Sequence, residues 1–99
     1  MAEINKLIHQ PARLRIMAAL MVLGQAEEAD FSYLRDLIGL TDGNLGAHLV
    51  KLEEAGYVAV RKTFVGRKPR TYLTATNKGR AAFDEHVAAL REILGVGQP

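Results

Sequence analysis

Cysteine is absent from this chain of 99 residues. No disulfide, thiolate zinc site or thiol redox switch can therefore form. The longest apolar run, Ile16–Leu23, is far shorter than the roughly 18–20 residues that span a bilayer. No charged-then-apolar signal pattern opens the chain either. We therefore expect a soluble, cytoplasmic protein with no membrane partner.

Acidic residues are missing from residues 57–82, although this segment holds seven basic side chains. The seven are Arg61, Lys62, Arg67, Lys68, Arg70, Lys78 and Arg80. Elsewhere acids prevail: residues 1–54 carry five basic and eight acidic side chains, and residues 83–99 carry one and three. The formal net charge of +2 thus conceals a very uneven distribution of charge along the chain. Positive charge concentrated on one segment is typical of a phosphate-binding surface.

Catalytic and metal-binding constellations are also missing. Ser32 is the only serine, no nucleophile is paired with a base, and no glycine-rich phosphate loop opens a helix. A zinc site needs three or four ligands, whereas His9 and His48 are far from His86 in sequence and are expected on other surfaces. We predict no enzymatic activity, no catalytic residue, no metal and no cofactor.

The pattern of apolar residues predicts one domain over residues 1–99, of α+β class and mostly helical. Pro11 suits the first position of a helix. Arg13–Leu23 is apolar almost all round, as expected of a central buried helix. Gly24–Asp30 is predicted as a loop whose last residue caps a second helix, and that helix ends at Ile38.

A third helix, a β-hairpin and a last helix follow. Thr41 is the predicted N-cap of the third helix, and Gly56 suits the left-handed position after its end. Thr76 is the predicted N-cap of the last helix. The predicted elements are a helix over Asp42–Ala55, a strand over Val58–Val65, a turn over Gly66–Arg70, a strand over Thr71–Ala75, a helix over Asn77–Leu94 and a fraying tail over Gly95–Pro99.

One face of the third helix is suited to contact with duplex DNA. At 100° per residue, Leu45, Leu49 and Leu52 face the core. The opposite face offers small and hydrogen-bonding side chains, which allow close approach and pairing with bases, as Asn pairs with adenine. The predicted DNA contacts of this helix are Thr41, Asp42, Gly43, Asn44, Ala47, His48 and Lys51. A polar face that is merely solvated is the alternative.

The hairpin turn adds a second candidate contact. Arg67, Lys68 and Arg70 repel one another unless an anion is near, and Arg is well suited to a narrow minor groove. A solvated loop is again the alternative. Because the hairpin that carries this turn directly follows the helix described above, DNA contact is the stronger interpretation.

Nearly the whole chain resembles winged-helix transcription regulators of the MarR/ArsR type, especially short members without a separate effector domain. The motifs that carry the resemblance are Pro11–Ile16, Leu40–Leu45, His48–Val58, Gly66–Thr71 and Thr76–Arg80. The resemblance implies a winged helix-turn-helix fold of three helices, a two-stranded β wing at about 57–75 and a C-terminal dimerisation helix, with the recognition helix at about 41–55. It also implies a homodimer that binds double-stranded DNA and usually represses transcription.

The last helix carries an apolar stripe that exceeds what one small core readily covers. We predict that it pairs in a two-fold dimer together with a short amphipathic segment near the N-terminus. The predicted interface residues are Ile4, Leu7, Ile8, Phe83, Val87, Leu90 and Leu94.

The sequence departs from the family pattern in two respects and leaves two alternative functions open. Asp84 and His86 match half of an ArsR-type metal motif, but no later histidine completes it. Only one helix follows the wing, so a ligand pocket beside the dimerisation helices would be small or absent, and any small-molecule effector is unknown. The alternatives to a sequence-specific regulator are a protein-interaction winged helix and a non-specific DNA-binding protein. Seven uncompensated cations argue against the first, and Asn44 and Lys51 argue against the second.

Overall fold

A computed structural model describes residues 2–25 and 27–95. The helices are α1 (Lys6–His9), α2 (Pro11–Met21), α3 (Phe31–Ile38), α4 (Asp42–Glu54) and α5 (Asn77–Leu94). The strands are β1 (Ala29–Asp30), β2 (Val58–Val65) and β3 (Lys68–Ala75). This is a mostly helical α+β winged helix, as predicted. The tail beyond Gly95, which was expected to fray, lies outside the described residues.

Short polar side chains begin three of the helices at the predicted places. Asp30 accepts a hydrogen bond from the backbone N–H of Ser32, Thr41 from that of Asn44, and Thr76 from that of Gly79. Each bond satisfies a backbone donor that the first helical turn leaves unpaired. The starts of α3, α4 and α5 are therefore fixed by local sequence.

The end of α4 sets the direction of the wing. Gly56 has φ 80°, a left-handed conformation that costs glycine little. Its N–H donates to the carbonyl of Glu53, and the N–H of Tyr57 donates to that of Leu52. These two bonds close the helix in a Schellman motif and turn the chain directly into β2.

The sheet differs from the prediction in two respects. It has three antiparallel strands in the order β1-β3-β2, because Ala29 and Asp30 pair with Leu73 and Tyr72. The segment Gly24–Asp30 is thus not loop throughout. The hairpin is also longer and its turn shorter than predicted, since Val65 pairs with Lys68 and only residues 66–67 connect the strands.

The core lies between α2, the inner face of α4 and the base of the sheet. Leu45, Leu49 and Leu52 are buried, as the helical periodicity predicted. Ile16, Met17, Leu20, Val58 and Leu73 are buried against them in the same cluster. Because α4 is fixed on this core along one side, its opposite side stays outside.

Ile8 requires a correction. It was predicted to face a partner subunit, but it is 0% exposed and belongs to the chain's own core. The four-residue α1 is too short for an amphipathic pattern to reveal its inner face. Ile8 therefore has no surface left to offer to a dimer interface.

Candidate DNA interface

The outer face of α4 is open, as predicted. Gly43, Asn44, Ala47 and Lys51 are all exposed. The backbone N–H of Asn44 donates to Thr41 Oγ1 over 3.1 Å. Within the described residues, the Asn44 carboxamide and the Lys51 ammonium have no hydrogen-bonding or ionic partner. Both groups are free to bind a ligand on this face.

Arg35 lies in α3 and binds the first turn of α4, a contact that the local sequence did not reveal. Its Nη1 donates to Asp42 Oδ1 over 2.7 Å, and its Nε donates to Asp36 Oδ1 over 2.9 Å. Hydrogen bonding by Arg35 lowers the pKa of Asp36, and the two carboxylates raise the pKa of Arg35. The charge of Asp42 is therefore compensated within the protein.

His48 lies at the edge of the open face, where α4 meets α2. Arg13 Nη1 is 3.2 Å from His48 Nδ1, and Arg13 Nε donates to the Leu7 carbonyl over 2.6 Å. Burial, followed by the positive charges of Arg13 and Lys51, lowers the pKa of His48. These effects favour the neutral form of the imidazole.

Two cations of the wing are paired, which corrects the expectation of seven uncompensated charges. Arg61 donates to both oxygens of Glu28 over 2.8 Å, and its guanidinium lies 4.7 Å from the centre of the Tyr72 ring. Arg70 Nη1 lies 3.3 Å from Asp30 Oδ2. These acids, which precede α3, reach the wing because β1 joins the sheet. Long-range pairing of this kind leaves no signal in local sequence.

Two further cations are held against the body of the protein. Arg80 Nη2 donates to the Leu23 carbonyl over 2.8 Å, and the Lys78 ammonium lies 5.8 Å from the centre of the Tyr57 ring. Among the described residues, this leaves Lys62, Arg67 and Lys68 as the wing cations without an ionic partner. Arg67 and Lys68 are exposed at the wing tip.

The wing also has an apolar side that the sequence did not reveal. Phe64 lies on the same face of β2 as the buried Val58 and the half-buried Val60, because side chains alternate along a strand, yet Phe64 is 70% exposed toward the tip of the hairpin. Nearer the body, a half-open groove of about 670 Å³ separates the wing from α4. Its lining includes Phe31, Leu49, Val50 and Val60.

The last helix has an inner face and an exposed apolar end. His86 and Ala89 are buried against the chain's own body, whereas Phe83, Val87 and Leu90 are half-buried. Leu94 is 72% exposed. Near the N-terminus, Ile4 and Leu7 are half-buried.

His9 and His86 are in contact, so the expectation that they lie on different surfaces was wrong. His9 Nδ1 is 3.3 Å from His86 Nε2. The backbone N–H of Asn5 donates to His86 Nδ1 over 3.0 Å, so the ring hydrogen of neutral His86 lies on Nε2 and points to His9. Both nitrogens of His86 are thus engaged. The described part of the chain contains no group of three or more residues suited to a metal ion.

These features define a winged helix with an open recognition-helix face and a cationic wing tip. The winged helix DNA-binding domain model matches residues 12–94, and the chain belongs to this family. It is 38% identical over 88 residues to the uncharacterized protein MJ0432 of Methanocaldococcus jannaschii. The aligned region covers 89% of this chain and 92% of that protein.

Solved structures of transcription regulators have the same fold as this chain. A transcriptional regulator homologue from Pyrococcus horikoshii superposes with a TM-score of 0.81 at 30% identity, over 90% of this chain and 85% of that one. The transcriptional repressor BigR from Xylella fastidiosa superposes with a TM-score of 0.62 at 26% identity, over 95% and 82%. The chain is therefore a winged-helix, DNA-binding regulator that resembles the transcription regulators of the MarR/ArsR families. None of the helices in residues 2–25 and 27–95 combines the length and the apolarity that a membrane span needs.

Proposed function

We propose that this protein represses transcription by binding an inverted repeat in double-stranded DNA as a homodimer. The observation that carries the proposal is the open face of α4, where Asn44 and Lys51 have no partner in the described residues. At the end of the next hairpin lies the wing tip, whose Arg67 and Lys68 have no ionic partner among residues 2–25 and 27–95. BigR, which shares the fold, is a repressor.

Each part of the interface has a distinct role in this proposal. Asn44 and Lys51 read base edges in the major groove, while Gly43 and Ala47 let the helix approach closely. Thr41 and His48 contact the phosphate backbone at the edge of the helix. Asp42 contributes through its ion pair with Arg35 rather than by touching DNA.

The wing supplies the second contact. Arg67 and Lys68 bind phosphates or enter the adjacent minor groove. Arg70 joins them only when it exchanges Asp30 for a phosphate, since the two are paired in the free protein.

The exposed end of α5 supports the dimer. Leu94, with Leu90 and Val87 on the same helix, offers apolar surface that a two-fold partner would cover. Phe83 and Leu7 pack against the chain's own core and, together with the half-buried Ile4, would border that contact. A dimer also doubles the length of DNA that is read, which a single recognition helix needs for specificity.

Selection of bound sequences from random duplex DNA by the purified protein tests the proposal. We expect an inverted repeat whose half-site centres are about 10–10.5 base pairs apart or a multiple of this. Enrichment of no sequence despite tight binding would instead identify a non-specific DNA-binding protein.

One observation favours a protein-interaction module as a second candidate. The pairing of Arg61 and Arg70 reduces the free charge of the wing, and Phe64 presents exposed apolar surface there. A protein with no measurable affinity for any duplex at low salt would support this function.

A further inference from the structure

The contact between Arg13 and His48 has a chemical consequence for the recognition helix. Arginine is a donor only and keeps its charge at all accessible pH values. His48 Nδ1, at 3.2 Å from Arg13 Nη1, must therefore be the acceptor and carry no hydrogen. The single ring hydrogen of neutral His48 then lies on Nε2.

Arg13 is itself fixed in place. Its Nε donates to the Leu7 carbonyl over 2.6 Å, so the guanidinium joins α1, α2 and α4. The backbone N–H of Arg13 donates to Gln10 Oε1, which caps α2. A planar guanidinium held at a second point by a carbonyl has little freedom to turn away from His48.

His48 adjoins the face of α4 that is open to solvent. Asn44 and Lys51 are four residues before it and three residues after it, so both are its neighbours on the helix surface. If this face binds DNA, an imidazole in this position would meet the same stretch of it as these two residues. Phosphate oxygens accept hydrogen bonds and donate none, so only a ring nitrogen that carries hydrogen can bind them.

We propose that Arg13 is a positioning residue, which holds His48 in the tautomer that donates its Nε2–H to a DNA phosphate. The proposal rests on the proposed DNA-binding function and adds to it a residue that does not itself contact the DNA. Lowering of the His48 pKa by burial and by Arg13 agrees with a neutral donor.

Nitrogen-15 NMR of the ring nitrogens in the free protein tests the positioning step without DNA. In the wild type, we expect Nδ1 of His48 to be unprotonated and Nε2 to be protonated at pH 7.5. In Arg13→Met, the two tautomers should be mixed. A wild-type ring with its hydrogen on Nδ1, or an Arg13→Met spectrum unchanged from wild type, would overturn the proposal.

A double-mutant cycle on the selected duplex tests the consequence for binding. Arg13→Met should weaken binding about twofold when His48 is present, because the apparent affinity falls with the fraction of His48 in the donating tautomer, here about half. In the His48→Ala background it should have no further effect. Equal weakening in both backgrounds would mean that Arg13 contacts DNA directly, and no weakening in either would also overturn the proposal.

Two controls keep the outcome interpretable. Circular dichroism and thermal unfolding establish whether Arg13→Met is folded. Arg13→Lys is a second variant, which keeps the positive charge but lacks the planar guanidinium that donates to both the Leu7 carbonyl and His48 Nδ1. We expect Arg13→Lys to mix the two tautomers of His48 as well. If His48 keeps its wild-type tautomer in Arg13→Lys, the guanidinium is not needed to hold it. Absence of DNA binding by the wild type, with the expected tautomer intact, would refute the proposed function and leave the positioning step standing.

Discussion

Asn44 shows how a single residue of α4 can be available for recognition. Its backbone N–H donates to the N-cap Thr41, and its exposed carboxamide has no partner in the part of the chain that the structure describes. A side chain amide can donate to and accept from adenine at the same time. Neighbouring Gly43 and Ala47 do not obstruct such a contact.

Asn44→Ala should therefore cost about 1–3 kcal/mol of binding free energy on the preferred site and relax preference at one base position. Fluorescence anisotropy with the preferred site, its single-base variants and random duplex would measure this. Glu54→Ala, also exposed but at the far end of α4, is the control and should leave base preference unchanged. A uniform loss on specific and random DNA would assign Asn44 to phosphate binding.

Gly79 joins the wing to the last helix by a close approach. It is buried beneath Tyr57, and a Cβ at this position would overlap the Tyr57 carbonyl oxygen. Gly79→Ala should lower the free energy of unfolding by about 1–3 kcal/mol, because neither backbone can move freely. Gly46→Ala, at a helical position with open space, should instead stabilise by about 0.5–1 kcal/mol. Chemical unfolding of both variants decides this, and equal stabilities would contradict the close approach.

His86 makes the stability of the fold depend on pH. Burial, followed by the nearby His9, lowers its pKa. The folded state then binds fewer protons than the unfolded state between the lowered pKa and the ordinary value of about 6.5. Its contribution to stability is therefore complete above pH 6.5 and is lost as the pH falls below that value.

Urea midpoints between pH 8 and pH 5 would measure this loss. His86→Asn keeps an acceptor for the Asn5 N–H but cannot titrate, so its midpoint should be lower at pH 8 yet fall less steeply. His48→Gln is the control for the second histidine whose pKa is lowered. A wild-type midpoint that rises as the pH falls would contradict the assignment.

At the scale of elements, the wing combines free and paired cations. Arg67 lies at the tip without an ionic partner in the described residues, whereas Arg61 is held by both oxygens of Glu28. An arginine that already has a carboxylate must lose it before it can bind phosphate. The two positions should therefore differ in their effect on DNA affinity.

Arg67→Ala should weaken binding to all duplexes and lower the salt slope by about 1. Arg61→Ala is the matched control and should change the slope less. Salt titrations of anisotropy with specific and random duplex provide both numbers. If affinity and slope of Arg67→Ala equal those of the wild type, the wing tip does not contact DNA.

The elements that sequence predicted well are those with local signals. Asp30, Thr41 and Thr76 mark helix starts through hydrogen bonds to residues two or three positions on, and Gly56 marks an end. The two-residue β1 has no pattern of its own and exists only because β3 is beside it. Pro69 suggested a turn, but it lies in β3 where that strand has a neighbour on one side only, which proline tolerates.

The features of the candidate site likewise divide into those that local sequence predicts and those that depend on tertiary packing. Helical periodicity was sufficient to identify the outer face of α4. The pairs Arg13–His48, Glu28–Arg61 and His9–His86 join residues that are 35, 33 and 77 positions apart. Such pairs depend on how elements pack, and no local spacing encodes them.

At the scale of the whole molecule, the proposed dimer determines how much DNA is read. Leu94 is 72% exposed at the end of α5, and the half-buried Leu90 lies one turn before it. In a two-fold dimer, the two recognition helices should lie about 34 Å apart, or a multiple of this, to match one turn of duplex.

Leu94→Asp should yield a folded monomer with only weak, non-specific DNA affinity, because a dimer would have to bury an unpaired charge. Leu90→Asp should do the same, or fail to fold because part of Leu90 packs within its own chain. Val22→Asp, at another exposed apolar position, is the control and should remain a dimer. Sedimentation and circular dichroism would distinguish these results, and a normal Leu94→Asp dimer on its operator would exclude this interface.

Hydroxyl-radical footprinting on the selected duplex tests the central claim most directly, because it maps α4, the wing and the dimer at once. We expect two patches of protection related by a two-fold axis, each with a flanking minor-groove segment whose protection is lost in a variant carrying Arg67→Ala and Lys68→Ala. A single patch, or flanking protection that persists in this variant, would contradict a dimeric winged helix that places its recognition helices and wing tips on the DNA.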